Sequence, residues 1–368
     1  MYSPIKGEPV HLSRKVNKLL TMEQRSNNKW SRRAFIGNTM TACLSLAVPV
    51  FARGAFVNTR KLSVGLITDL HHDVMHDGVA RLQAFLDAAG KSRPDALMQL
   101  GDFAYPAEKN KNIIDLFNQS HPTRLHVIGN HDTDSGFTHK QCVEVWGMPA
   151  PYYTKVVNGF RFIILNGNEK GSPAHKGGYP AYIGPAQTAW LKQQLEETSE
   201  PVIVVCHQPL VGYLAVDNAT EIQDIITAAS HRVVMIINGH THVDNLQYVN
   251  DIPYLTINSA SYFWVGQNFM HESYSPEIHK NYPWISRTCP YKDPLFTTLT
   301  IDPKKYTITI IAKKSEWVGK SPEALGFNEQ QPLRLGQDIV PFIRDYKLTE
   351  GKRLKSGMLG ANARGTKL

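Results

Sequence analysis

Five short apolar runs in this chain are each followed, directly or after one glycine, by aspartate, asparagine or histidine, and this repetition constrains the fold more than any other feature. Most of the runs are rich in Val, Ile and Leu, which is typical of strands buried on both faces. They are Leu62–Thr68, Ala96–Leu100, Leu125–Ile128, Val202–Cys206 and Val233–Ile237. Amphipathic segments separate most of them, so the predicted fold class is α/β with alternating strands and helices.

Helical spacing and turn signals complete this prediction. Helices are predicted over Val79–Ala89, Asn112–Asn118, Pro185–Thr198 and Thr220–Ala229. Three antiparallel pairs are predicted as well: Tyr152–Val157 with Arg161–Leu165, Leu246–Val249 with Tyr254–Ile257, and Thr297–Ile301 with Thr307–Ile311. The first pair flanks Asn158-Gly159, which is a strong hairpin turn signal. The sheets are therefore expected to be mixed.

The composition is that of a globular protein and narrows the functional classes. Hydrophobic residues make up 42% of the 368 residues and charged residues 20%, which excludes a collagen-like, coiled-coil or wholly disordered chain. The net charge is +8, but residues 1–52 hold eight Lys/Arg against two Asp/Glu, and residues 351–368 hold five Lys/Arg and no acid. The remaining residues therefore carry a net charge of −3. No stable nucleic-acid partner is expected.

The first 52 residues are interpreted as an export signal and leader. Arg32-Arg33 precede a moderately apolar run, Met40–Phe51, that is shorter than the roughly 20 residues of a membrane span. Val50 and Ala52 are small residues at the −3 and −1 positions of a cleavage site after Ala52. This arrangement resembles a twin-arginine export signal, and a disordered basic leader with a chance arginine pair is the alternative. We expect a bacterial protein exported to the periplasm or beyond by the twin-arginine machinery, with no membrane span in the mature chain.

The side chains that follow the five strands are of metal-ligand types. In chain order they are Asp69 and His71, Asp102, Asn130 with His131 and Asp132, His207, and His240 and His242. A lone Asp or His after a strand is usually a loop residue or a helix cap. Five such endings in order favour a shared site, because the carboxyl ends of parallel strands meet at one sheet edge. Mixed nitrogen and oxygen donors without thiolate suit Mn, Fe or Zn in a catalytic site and argue against a structural zinc.

This ordered motif set resembles the calcineurin-like metallophosphoesterase family over roughly residues 62–312. The resemblance implies a four-layer α/β/β/α sandwich of two mixed β-sheets flanked by helices, with a dimetal site at the carboxyl edge of the strands. It implies that one metal is held by Asp69, His71, Asp102 and His242, and the other by Asp102, Asn130, His207 and His240. Asp102 would then bridge the two ions.

The implied chemistry is hydrolysis of a phosphoric ester. Two divalent ions about 3.5–4 Å apart neutralise the phosphate oxygens and generate a bridging hydroxide that attacks phosphorus. His131 is not a ligand in the family pattern, so it is the candidate to assist the leaving group. Asp132 is expected to orient the His131 imidazole, with a helix cap as the alternative role.

Several alternatives stay open at this point. Gly101-Asp102 with Tyr105 also matches the purple acid phosphatases, in which the tyrosine binds ferric iron. His72, His76 and His175 are either phosphate contacts or ordinary surface histidines. The Asp-x-His form of the first motif resembles the phosphodiesterases of the family, including cyclic-nucleotide enzymes. A phosphatase, a non-catalytic binding module on the same fold, and a hydrolase of phosphoanhydrides or sulfate esters are the competing functions.

These predictions divide the chain into segments. The metallophosphoesterase domain is expected over residues 53–312, and residues 258–296 contain many aromatic residues without clean periodicity. That segment is either a cap that stacks an aromatic or base-containing group of a nucleotide or lipid-headgroup substrate, or satellite core. Residues 313–350 are expected to wrap the body and include a short helix over Gly336–Tyr346. Residues 351–368 read as a flexible basic tail.

Overall fold

The computed structural model describes residues 60–327 and 333–349. The predictions of an export leader over residues 1–52 and of a tail over residues 351–368 lie outside these residues. Among the helices of the described ranges, none is long and apolar enough to cross a membrane.

Sixteen strands in the described residues form two six-stranded sheets and two small ribbons. The strands are β1 (Leu62–Ile67), β2 (Ala96–Gln99), β3 (Arg124–His126), β4 (Tyr153–Val157), β5 (Phe160–Leu165), β6 (Val202–Cys206), β7 (Val233–Asn238), β8 (Asn245–Val249), β9 (Ile252–Thr256), β10 (Tyr262–Trp264), β11 (Thr288–Pro290), β12 (Thr297–Asp302), β13 (Thr307–Ile310), β14 (Lys313–Lys314), β15 (Phe342–Ile343) and β16 (Tyr346–Leu348).

The two large sheets are both mixed. The first has the order β16-β13-β12-β1-β2-β3, in which β1, β2 and β3 are parallel and the remaining pairs are antiparallel. The second has the order β4-β5-β6-β7-β9-β8, in which β5, β6, β7 and β9 are parallel. The five strands that carry the sequence motifs are therefore shared between two sheets.

Six α-helices in the described residues flank these sheets. They are α1 (Gly78–Ser92), α2 (Lys111–Gln119), α3 (His139–Trp146), α4 (Pro185–Glu197), α5 (Ala219–Ala228) and α6 (Pro276–Asn281). Thr138 and Gln141 form a capping box that starts α3, a helix that the sequence analysis did not predict. The predicted α/β class with two mixed sheets flanked by helices is confirmed.

Buried apolar side chains hold the layers together. One cluster joins residues of both sheets, such as Leu66 of β1 and Phe162 of β5. A second cluster packs the outer face of the second sheet against Leu191 of α4 and Ile222 of α5. Each fully buried side chain of this kind contributes about 1.5–3 kcal/mol relative to an exposed one. Strands β1, β2, β6 and β7 are almost entirely buried, as their continuous apolar runs indicated.

The C-terminal segment belongs to the body of the fold. The helix expected over Gly336–Tyr346 is wrong, because this part of residues 333–349 contains β15 and leads into β16. Pro341 is incompatible with a helix interior. Strand β16 extends the first sheet by pairing with β13, and Arg344 forms an ion pair of 2.7 Å with Asp244. A domain boundary at residue 312 would therefore remove an edge strand.

The aromatic segment 258–296 is anchored by a buried arginine on α1. Arg81 is 1% exposed, and its guanidinium donates to Asp77, to the Ala260 carbonyl and to the Tyr291 carbonyl. These bonds compensate the burial of the charge. Tyr291 itself is fully buried, so part of the segment is core, as one of the two interpretations held.

His126 on β3 is a buried neutral histidine that makes the fold sensitive to acid. Its ring stacks on Trp146, and burial together with Arg124 lowers its pKa to about 3. The unfolded chain takes up this proton near the ordinary value of 6.5. Between these values the unfolded state binds more protons, so stability falls as the pH falls. We expect the His126 side chain to lower the free energy of unfolding by about 2 kcal/mol at pH 5 relative to pH 7.

Urea unfolding of the metal-free protein at pH 7 and pH 5 tests this expectation. The variant His126→Gln should lose about 2 kcal/mol less than the wild type between the two values. His175→Gln changes an exposed histidine and is the matched control, which should keep the wild-type dependence. An unchanged acid loss in His126→Gln would show that other groups cause it.

Candidate metal centre and active site

Six of the predicted ligand side chains lie in two neighbouring groups. The first group contains Asp69, His71 and His242, and the second contains Asp102, His207 and His240. Within each group the potential ligand atoms lie within 4.8 Å of one another. All six side chains are buried except that of His240, which is partly exposed. The grouping matches the two metal sites that the sequence resemblance implied.

Strand ends position these side chains. Asp69 and His71 follow β1, and Asp102 follows β2, so these three come from the first sheet. His207 follows β6 and His242 comes after β7, both in the second sheet. Each group therefore combines ligands from two sheets, and the site lies where the carboxyl edges of the two sheets meet.

The two carboxylates lie between the groups. Asp102 Oδ2 is 3.2 Å from His207 Nε2 and 3.6 Å from His71 Nε2. Asp69 Oδ1 is 3.2 Å from His242 Nε2 and 3.8 Å from His207 Nε2. Burial opposes the ionisation of Asp102, but His207 and His131 hold its pKa well below the usual range. Asp102 is thus an anionic oxygen donor within reach of both groups.

Backbone carbonyls fix the orientation of two histidine rings. His207 Nδ1 donates to the Leu100 carbonyl at 2.8 Å, and His242 Nδ1 donates to the Tyr262 carbonyl at 2.7 Å. Each bond assigns the ring proton to Nδ1, so the Nε2 lone pair is directed into the site. Metal-ligating histidines in proteins are held in this way.

Unpartnered buried atoms test whether metal ions fit here. Asn130 Oδ1 and His240 Nδ1 are buried and have no hydrogen-bond partner among the residues that the structure describes. His71 Nε2 and His242 Nε2 lie only 3.0 Å apart. Leaving buried polar atoms without a partner costs free energy. Divalent cations would bind the lone pairs of these oxygen and nitrogen atoms. The imidazole, carboxylate and amide donors suit Mn, Fe or Zn.

The ligand backbone is strained at most of these positions. Five of the seven predicted ligands have a positive φ: Asp69 (51°), His71 (48°), Asp102 (50°), His240 (72°) and His242 (54°). Non-glycine residues rarely adopt this left-handed region, which costs of the order of 1–2 kcal/mol per residue. Such strain is concentrated at functional sites, and here it coincides with the ligand set.

Two motif glycines lie against the ligands. A Cβ atom at Gly129 would lie 2.1 Å from Asp102 Oδ1 and 2.2 Å from Asp102 N. A Cβ at Gly239 would lie 2.6 Å from Asp69 Oδ2 and 2.1 Å from Thr68 Oγ1. Only glycine allows the loops to approach the carboxylates this closely.

Gly129→Ala should therefore displace Asp102 and lower the metal content. We expect less than about half of the wild-type metal content and at least a tenfold loss of hydrolysis. Mutations that disturb the groups around a metal ligand typically lower metal affinity or activity about 10- to 100-fold. Elemental analysis of the purified protein measures the metal. Gly90→Ala is the control, because no atom lies within 4 Å of its Cβ. Wild-type metal content in Gly129→Ala would contradict the close approach.

His131 lies beside the first ligand group and outside both groups. Its ring centroid is 5.1 Å from that of His71, and its Nδ1 is 2.8 Å from Asp134 Oδ2. Burial alone would lower the pKa of His131, but Asp102 and the bond to Asp134 raise it above the ordinary value. The two carboxylates thus favour the protonated form of the His131 ring.

The expected role of Asp132 is wrong. Its Oδ2 accepts from the backbone N–H groups of Gly129 and Asp102, and its Oδ1 accepts from those of Phe103 and Ala104. With both oxygens occupied, Asp132 fastens the loops after β2 and β3 to each other and does not orient the ring of His131. It is not a helix cap either, because these donors lie in the preceding loops.

Asp134 takes the role that was expected of Asp132. It follows His131 by three residues, and the short 3-10 turn between them brings the carboxylate back to the ring. Tyr179 donates to Asp134 Oδ1 at 2.8 Å, and its hydroxyl lies 3.1 Å from His131 Nδ1. Neither residue was predicted. The i, i+3 spacing of His131 and Asp134 was the signal available for Asp134, and Tyr179 offered none.

The remaining sequence candidates belong to neither ligand group. Tyr105 contacts the ring of Phe137, and burial together with Asp134 raises its pKa to about 12. His76 packs between aromatic rings, 4.5 Å from that of Tyr274. His175 lines the cavity above the site.

A large cavity opens over both ligand groups. Its volume is about 1130 Å³, and its floor includes His71, His240 and His242. Residues 174–181 form one wall, and Trp264 and Trp284 lie among the lining residues contributed by the aromatic segment. The cavity accommodates a small molecule of drug or nucleotide size.

The fold and the two candidate metal-binding groups agree with comparisons to known proteins. Residues 62–244 match the family model "Calcineurin-like phosphoesterase". A probable cyclic nucleotide phosphodiesterase of Synechococcus sp. is 27% identical over 200 residues, which cover 49% of this chain and 73% of that protein. Residues 62–244 are therefore similar to the calcineurin-like phosphoesterases.

A solved structure of low sequence identity shows the same fold. The chain is similar to GAP50, described as the anchor in the inner membrane complex of Plasmodium, with a TM-score of 0.50 and 15% identity over 82% of this chain and 95% of that one. It is also similar to a dimetal phosphatase from Danio rerio, with a TM-score of 0.49 and 13% identity over 71% of this chain and 99% of the other. The family model supports the resemblance drawn from the motifs over residues 62–244.

Proposed function

We propose that the protein hydrolyses phosphodiesters at a dinuclear metal site formed by the two ligand groups. The observation that carries this proposal is their juxtaposition across two sheet edges, with both carboxylates between them and His131 beside them. Asp69, His71 and His242 would hold one ion, and His207, His240 and Asn130 the other, with Asp102 shared. Two divalent ions held there would neutralise phosphate oxygens and lower the pKa of a bound water.

The chain's own residues then handle the leaving group. As a P–O bond to the attacking oxygen forms and the ester P–O bond breaks, the departing alkoxide takes a proton from the imidazolium of His131. Asp134 holds Nδ1 of this ring, so Nε2 is the nitrogen available to the leaving oxygen. Tyr179 in turn holds Asp134.

Two observations favour diesters over monoesters. The Synechococcus relative is named as a probable cyclic nucleotide phosphodiesterase. The cavity of about 1130 Å³ also has room for two ester groups around one phosphate. A phosphatase of the same family is the alternative. A non-catalytic binding module is disfavoured, because both ligand groups and His131 are in place.

The test compares two chromogenic substrates with the same leaving group. The full chain, loaded separately with Mn, Zn and Fe, is assayed with bis(p-nitrophenyl) phosphate and p-nitrophenyl phosphate. We expect kcat/KM to be at least about tenfold higher for the diester with the best metal, a difference of about 1.4 kcal/mol in transition-state binding. A higher value for the monoester would establish a phosphatase instead. Two bound metals without any hydrolysis would favour the binding module.

Export by the twin-arginine machinery is a separate part of the proposal. Its support is the paired arginine, the short apolar run and the small residues that end at Ala52. Replacing Arg32 and Arg33 together by lysine should retain the protein in the cytoplasm, as measured by cell fractionation. An unchanged distribution would rule out this route.

A further inference from the structure

Two exposed tryptophans of the aromatic segment line the cavity. Trp264 is 41% exposed and Trp284 is 50% exposed, and both rank among the few large hydrophobic residues that the described part of the chain leaves in solvent. Their ring centroids lie 6.4 Å apart with an angle of 32° between the planes. Exposed indoles in a concave site are typical of ligand contacts rather than of packing.

The tryptophans are held in place by the buried parts of the same segment. Trp264 ends β10, which pairs with β11 and buries Tyr262 and Phe263. The guanidinium of Arg287 lies 4.1 Å over the ring of Trp284, so one face of that indole is covered by a cation. The exposed ring surface is therefore positioned before any ligand arrives.

A continuous series of ring contacts leads from the first ligand group to the tryptophans. The Tyr262 ring stacks 5.0 Å from that of His71 and lies 4.9 Å from that of His242. The Trp264 ring lies 6.4 Å beyond Tyr262. A phosphate at the ligand groups and a ring at Trp264 would thus occupy the same cavity.

We infer that Trp264 and Trp284 bind a nucleobase-sized aromatic group of the phosphodiester substrate. This inference rests on the proposed function, because that function places the phosphate at the ligand groups. A flat base with polar edges suits stacking on an indole with a guanidinium nearby, whereas an alkyl chain gains nothing from Arg287. The substrate class is therefore a nucleotide-containing phosphodiester.

Inhibition constants measure the contribution of the base directly. AMP and ribose 5-phosphate carry the same phosphate and sugar, and only AMP carries a base. Their Ki values are measured against bis(p-nitrophenyl) phosphate hydrolysis by the metal-loaded full chain. Because base stacking on one aromatic side chain is worth roughly tenfold or more, we expect AMP to bind about tenfold more tightly than ribose 5-phosphate.

Matched variants assign this preference to the tryptophans. In Trp264→Ala and Trp284→Ala the ratio of the two Ki values should fall towards one, while ribose 5-phosphate and the metal content stay as in the wild type. Trp264→Phe keeps an aromatic face and should retain part of the ratio. Tyr248→Ala removes an aromatic residue that is 57% exposed outside the cavity lining, so it should leave the ratio unchanged.

Base stacking and diester hydrolysis can fail independently in these experiments. A wild-type ratio near one, or octyl phosphate inhibiting as strongly as AMP, would overturn base stacking and leave diester hydrolysis standing. If no substrate is hydrolysed, calorimetry on the Mn-loaded protein measures the two dissociation constants instead. A tenfold preference for AMP that the tryptophan variants abolish would then support the aromatic site without the enzyme activity.

Discussion

Asp102→Asn should remove most of the bound metal and lower turnover at least about a thousandfold, since the chemistry depends on both ions. The buried Asp102 carboxylate lies within 3.6 Å of a histidine nitrogen from each ligand group. A neutral amide of the same shape leaves the charge of two dications uncompensated. Elemental analysis and kcat for bis(p-nitrophenyl) phosphate are the two measurements.

The matched control is Asp115→Asn on the surface of α2. Asp115 pairs with Lys111, one turn earlier on the same helix, and an exposed pair of this kind contributes little to stability. This variant should keep both metals and full activity. Two metals per chain in Asp102→Asn would show that Asp102 is not the shared ligand and would direct attention to Asp69, which also lies between the groups.

His131→Ala should keep both metals and lose about 10²- to 10⁴-fold in kcat for substrates with poor leaving groups. The side chain belongs to neither ligand group, and the backbone N–H that His131 donates to Asp102 Oδ1 persists in alanine. The loss should be smaller for bis(p-nitrophenyl) phosphate, because nitrophenolate leaves without a proton. A cyclic nucleotide, with an alkoxide leaving group, should show the full effect.

Asp134→Asn provides the accompanying test of orientation. It leaves the imidazole present but weakens the bond to Nδ1, so a smaller loss of about tenfold is expected, with the same dependence on the leaving group. Equal losses for both leaving groups in His131→Ala would show that His131 binds the phosphate rather than protonating the alkoxide. Loss of metal in His131→Ala would show that His131 has a structural role in the metal site.

The strands and the metal-ligand types of the residues after them were predictable from local chemistry, whereas the assignment of ligands to two metal sites came from the family resemblance. Continuous apolar runs need burial on both faces, so β1, β2, β6 and β7 appeared close to their observed bounds. Polar residues directly after such strands collect at sheet edges. Charge and donor type then pointed to metal ions. None of these steps depends on how distant segments fit together.

The missed features depend on tertiary geometry. Asp132 and Asp134 are chemically identical in sequence, and only the path of the turn decides which one reaches His131. The left-handed backbone of the ligands is imposed by the surrounding fold and has no signature in residue type. Residues 336–346 show mixed polarity, and pairing with β13 decided their conformation at β16.

The sharing of each ligand group between two sheets has a consequence for biosynthesis. His71 and His242 approach within 3.0 Å although 171 positions separate them in the chain. A nascent chain that has not yet completed β7 holds neither group, so high-affinity metal uptake must follow translation and folding of most of the domain. The ions available where the chain folds would therefore determine its metal content. An export route that carries folded proteins would then fix this choice in the cytoplasm, before the protein reaches the compartment where it acts.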